Sequence, residues 1–143
     1  MRFWDSSAVV PLIVEEERSA ACRALRRSDR TMVVWTLSRT EVVSALHRLA
    51  REGRLEKADL PAALRRLDRL ANAWAEVEAV EPTRERAERA LALHSLSAAD
   101  ALQLGAALVA ARDRPKRRLF VTADERLGDA ASAEGFDVVV PRQ

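Results

Sequence analysis

The chain has 143 residues, 48% hydrophobic and 32% charged, with a net charge of +2 and a pI near 9.3. That length and balance suit one folded domain, taken as residues 1–143, and exclude a disordered chain. A single cysteine, Cys22, excludes an internal disulfide and a zinc-ligand set.

No stretch approaches about 18 uncharged apolar residues, so no membrane span is expected. Asp5 and the run Glu15-Glu16-Glu17 interrupt any signal-peptide core, which points to the cytoplasm. None of the four glycines falls in a G-x-G-x-x-G or P-loop pattern, which speaks against a nucleotide cradle of either kind. The modest basicity permits nucleic acid as a partner without demanding it.

Met1 to Trp4 reads as a first strand, running into Asp5-Ser6-Ser7, where Ser6 or Ser7 suits a helix cap. Pro11 limits how regular that helix can be. A second helix is predicted from Glu16 to Arg27. Met32 to Trp35 is β-branched and aromatic and reads as a buried strand. Helices follow from Arg39 to Glu52, with Gly53 past its end, and from Ala58 to Trp74, forming a hairpin. Val77 to Val80 reads as a third strand ended by Pro82, followed by a helix from Thr83 to His94. Ser97 to Ala111 reads as a helix apolar almost all round, and such helices are normally buried. Leu119 to Thr122 is a fourth strand, then a helix to Glu134 stopped by Gly135, and Phe136 to Val140 is a last strand. This alternation predicts an α/β fold with a mostly parallel sheet.

Ligands of open parallel sheets bind beyond the carboxyl ends of the strands. Four acids belong to that region. Asp5 and Asp124 each follow a strand, and Glu41 and Asp100 each sit in the first turn of a helix. Every one also has a local reading. Ser97-x-x-Asp100 and Ser38-x-x-Glu41 fit capping boxes, Asp124 fits an N-cap, and Asp5 can simply start a helix. Two observations favour a shared site. Glu41 lies four residues before Ala45 of the apolar stripe, and the Asp100 helix offers almost no polar face. A buried carboxylate needs compensation, and convergent carboxylates raise one another's pKa unless a cation joins them. Hard ions such as Mg²⁺ or Mn²⁺ take such oxygen ligands.

The stretches Phe3-Trp4-Asp5-Ser6-Ser7-Ala8, helix-borne Glu41, Ala99-Asp100-Ala101-Leu102 and Phe120-Val121-Thr122-Ala123-Asp124 resemble the ordered acidic motifs of PIN-domain ribonucleases. In length and order the chain is most similar to VapC-type toxins of VapBC toxin–antitoxin modules. The resemblance implies a three-layer α/β/α fold and metal-dependent cleavage of RNA. It assigns Asp5, Glu41, Asp100 and Asp124 as catalytic metal ligands and Ser7 and Thr122 as orienting hydroxyls. It also implies a homodimer and a cognate antitoxin that blocks the acidic pocket. Gln103 departs from the family, whose members often have His there.

Arg65, Arg66 and Arg69, and the Arg112–Arg118 loop with Lys116 and Arg117, are candidate RNA-phosphate contacts or simply a solvated basic face. His47 and His94 read as structural, and the three tryptophans as core. Two rival functions remain: a catalytically silent binding module of the same fold, and a phosphoacceptor signalling domain. The second lacks a paired acid before Asp5 and a Lys near Asp124.

Overall fold

The computed structural model describes residues 1–29 and 31–142. Five short strands form one parallel sheet: β1 (Arg2–Trp4), β2 (Met32–Trp35), β3 (Ala75–Val77), β4 (Leu119–Val121) and β5 (Asp137–Val139). Their order is β3-β2-β1-β4-β5, so the chain winds outward from β1 to β3 and then crosses back to β4. The direction of winding therefore reverses between β1 and β4, which pair in register from Arg2 against Leu119 to Trp4 against Val121.

Among the described residues seven α-helices cover the sheet: α1 (Ser6–Ile13), α2 (Ser19–Arg27), α3 (Ser38–Arg51), α4 (Leu60–Ala71), α5 (Val80–Leu93), α6 (Ala98–Ala110) and α7 (Glu125–Glu134). Side chains alternate along each strand and build two cores. Phe3, Val33, Trp35 and Phe120 face one layer with Leu104 of α6 and Leu127 of α7. Trp4, Val34 and Val121 face the other, with Val9 of α1, Leu46 of α3 and Leu67 of α4. A sheet buried on both faces explains the continuous apolar run Met32–Trp35, all four residues of which are buried. The result is the expected three-layer α/β/α arrangement. No helix among the described residues is long and apolar enough to cross a membrane.

Several boundaries differ from the sequence reading. The third strand is Ala75–Val77, and Val80 begins α5. Pro82 therefore opens that helix instead of ending a strand, as a residue without an N–H can in a first turn. Helix α4 starts after a 3₁₀ turn at Lys57–Asp59 and stops at Ala71, so Trp74 lies beyond it, buried, with its Nε1–H donating to Glu76. Helix α2 begins at Ser19 and not at Glu16. Helix α1 runs through Pro11, and its N-cap is Asp5, without a side-chain cap bond from Ser6 or Ser7. Gly53 and Gly135 end their helices at φ +73° and +110°, as read.

Helices α5 and α6 approach closely at Gly105. A Cβ there would stand 2.6 Å from the Thr83 carbonyl oxygen and 3.0 Å from the Ala87 nitrogen. This contact sets the position of α6, and with it that of Asp100.

Candidate active site

Asp5 leaves β1 at the centre of the sheet, its N–H donating to the Val121 carbonyl of β4 at 2.9 Å. It is only 2% exposed. Its Oδ2 accepts hydrogen bonds from Ser7 (2.5 Å) and Thr122 (2.8 Å). Those hydroxyls are themselves held by backbone: Ala123 N–H donates to Ser7 Oγ at 2.9 Å, and Asp124 N–H to Thr122 Oγ1 at 3.0 Å. The ends of β1 and β4 are thus tied together through one carboxylate oxygen. Oδ1 has only a long 3.5 Å contact with Ser6.

Glu41 stands in the first turn of α3, half-buried. Its Oε2 accepts from Ser6 at 3.2 Å, and its Oε1 accepts from Gln103 Nε2 at 2.8 Å. Gln103 is fully buried and also donates to Ser38 Oγ at 3.0 Å. The Ser38-x-x-Glu41 capping box is therefore not formed, and both side chains turn to Gln103 instead. Ser6 and Gln103 are the two members of this cluster that the sequence reading assigned no site role. Gln103 was visible as a polar break in an apolar helix, three residues after Asp100. Ser6 carried no signal beyond its place beside Asp5.

Asp100 is half-buried in the first turn of α6, where Ser97 caps the helix by accepting from the Asp100 N–H at 3.2 Å. The cap is real, and it leaves the Asp100 carboxylate uncommitted to the backbone. Asp124 caps α7: its Oδ1 accepts from the Arg126 and Leu127 N–H groups at 2.9 and 3.2 Å.

The charges of these acids are felt mutually. Burial raises the Asp5 carboxyl above its ordinary value; the Ser7 and Thr122 hydrogen bonds oppose this, and the charge of Asp100 adds to it. Burial raises Glu41, opposed by Gln103 and reinforced by the charges of Asp5 and Asp100. Burial raises Asp100, and the charge of Asp124 adds to it, while the Ser97 hydroxyl and the Arg126 charge oppose. Among the described residues no Lys or Arg forms an ion pair with Asp5, Glu41, Asp100 or Asp124. Nor does any group of three Asp, Glu, His or Cys among the described residues stand close enough together to hold a metal ion as the side chains lie. The acids stand at the carboxyl ends of β1 and β4 and in the first turns of α3 and α6, near enough for their charges to raise one another's carboxyls.

The predicted basic residues lie elsewhere. Lys116 and Arg117 belong to the loop entering β4, at the end of that strand opposite to Asp124. Arg69 and Arg66 line a groove with Arg23, Arg26 and Arg27, and Arg65 is exposed on α4. His94 ends α5 and bonds Glu134 of α7 at 2.8 Å, a structural tie, whereas His47 is exposed on α3. Trp4, Trp35 and Trp74 are all buried.

The acids stand where a parallel sheet reverses its winding in an α/β/α domain, the place at which open sheets of this class bind their ligands. The chain belongs to the PIN domain family, whose model matches residues 2–133. Its fold is similar to the crystal structure of Mycobacterium tuberculosis VapC20, described as a sarcin-ricin loop cleaving toxin, with a TM-score of 0.64 and 21% identity over 100% of both chains. A comparison with curated proteins finds no match.

Proposed function

We propose that this PIN-domain chain is a Mg²⁺- or Mn²⁺-dependent endoribonuclease and the toxin of a toxin–antitoxin pair. The observation that carries the reading is the mutual charge effect of Asp5, Glu41 and Asp100, with Asp124 acting on Asp100 and, among the described residues, no Lys or Arg ion-paired to any of the four. Its donors are all hard oxygens, which suits either ion. Mg²⁺ keeps several waters and needs few protein ligands, so acids that do not close into a cage suit it. Asp5, through its free Oδ1, Glu41, Asp100 and Asp124 would hold the ion. When bound, it supplies an activated water and charge neutralisation for a displacement at phosphorus.

The rest is done by the chain itself. Ser7 and Thr122 hold the Asp5 carboxylate in one orientation. Gln103 and Ser6 do the same for Glu41. The Asp100 carboxylate faces the others from the start of a helix whose place is set at Gly105. No side-chain nucleophile is needed. The likeness to VapC20, a sarcin-ricin loop cleaving toxin, supports the toxin role and an RNA target, and an antitoxin partner and a cytoplasmic homodimer are further parts of the same proposal.

The test is cleavage of a labelled structured RNA pool by wild type and Asp100→Asn, each with Mg²⁺, with Mn²⁺ and with EDTA. Cutting that needs metal and vanishes in the folded variant is expected. Cutting that survives both EDTA and the substitution would overturn the reading.

A further inference from the structure

Beside the acids runs a groove of about 420 Å³, from Ser6, Ser7 and Glu41 at one end to Arg48 and Arg54 at the other. Helix α3 builds one wall. Glu41, Ser44, Ala45 and Arg48 fall on one side of it by their three- and four-residue spacing. Arg48 lies two turns past Glu41, about 10.5 Å along the axis. The small side chains of Ser44 and Ala45 keep the space between them open.

Arg54 reaches the same end by a chain reversal. Gly53 adopts φ +73°, and the Arg54 and Leu55 N–H groups fold back to the Leu49 carbonyl at 2.9 and 3.2 Å. The two guanidiniums have little else to bind. Among the described residues Arg48 has no carboxylate within ion-pair distance, and Arg54 has only a 3.9 Å contact with exposed Glu52. Glu16 lines the groove but pairs with neither. A groove that is acidic at one end and carries two uncommitted arginines at the other suits a polyanion whose reacting phosphate sits at the acids.

We infer that Arg48 and Arg54 hold backbone phosphates of the RNA strand flanking the cleaved bond, and so seat the strand along α3. This rests on the nuclease reading and adds the path of the substrate. Guanidinium forks match phosphate oxygens in two-point contacts. Such contacts position a strand without reading its bases. The groove therefore sets where the backbone lies, and base choice is made elsewhere.

The experiment measures binding of a labelled single-stranded RNA by fluorescence anisotropy, with Mg²⁺, on the non-cutting Asp100→Asn protein. The same measurement is made after adding Arg48→Ala and Arg54→Ala together, or Arg48→Lys and Arg54→Lys together. Circular dichroism checks that each remains folded. The alanine pair should weaken binding at least about tenfold, and the slope of log K against log salt should fall by about 1.4, the loss of two single-strand phosphate contacts. The lysine pair should keep most of the slope. In the cutting-competent protein the alanine pair should raise KM and leave kcat within about twofold. Unchanged affinity and slope in the alanine pair would overturn the groove alone, provided the RNA pool is still cut by wild type. A parent protein that neither binds nor cuts RNA would remove the nuclease reading and the groove together.

Discussion

The Thr122 hydroxyl accepts from the Asp124 N–H and donates to Asp5, so it links the two strand ends at the proposed metal pocket. Thr122→Val keeps the shape and removes both bonds. Losing such a supporting contact costs about 10–100-fold in metal affinity or activity. Titration of cleavage rate against Mg²⁺ should show the midpoint moving up by that factor; an unmoved midpoint would show that Thr122 does not orient Asp5. Gln103 has the same standing toward Glu41. Gln103→Leu leaves Glu41 Oε1 and Ser38 without their buried donor, and each such loss costs about 1–3 kcal/mol. A lower Tm together with weaker metal binding is expected. The acids themselves were legible because each follows a strand or opens a helix in sequence. Ser7 and Thr122 were legible through the family resemblance alone, since Thr122 meets Asp5 across 117 positions, and the part of Gln103, which meets Glu41 across 62, was not legible at all. No local pattern encodes such pairings.

At the scale of elements, short periodic runs were readable and boundaries near proline were not. Met32–Trp35 announced a buried strand by composition alone. Val77–Val80 was also read as a strand despite Glu78, yet only Val77 joins the sheet and Val80 starts a helix. Pro82 was read as ending a strand, whereas it sits in the first turn of α5, and Pro11, read as limiting the regularity of its helix, lies inside the short α1. The close approach of α5 and α6 was also invisible, since Gly105 gives no sign of what lies 2.6 Å from its missing Cβ. Gly105→Ala should therefore destabilise by about 1–3 kcal/mol despite the better helix propensity of alanine. Thermal unfolding decides it; a raised Tm would mean that α6 can shift freely, and that Asp100 is not held by this contact.

Over the whole molecule, the raised carboxyls of Asp5, Glu41 and Asp100 link stability to pH and metal. Without metal, the folded state holds these protons to higher pH than the unfolded chain does. Their contribution is therefore largest at low pH and is lost as pH rises from about 4 through the raised values. Carboxylates held low by arginine, such as Glu15, Asp113 and Glu125, contribute constantly above the unfolded range and do not reverse that trend. In EDTA the wild-type Tm should fall more as pH rises from about 4 to neutrality than that of Asp100→Asn. Mg²⁺ should recover the wild-type loss at pH 7, and equal slopes for the two proteins would show that the acids are not coupled. The central claim is that these acids hold the ion on which cutting depends. Calorimetry of Mn²⁺ binding to wild type, Asp5→Asn and Asp100→Asn at neutral pH tests it most directly. The account predicts binding to wild type and at least about tenfold weaker binding to each folded variant. No heat of binding in wild type, or equal affinity in all three, would contradict it.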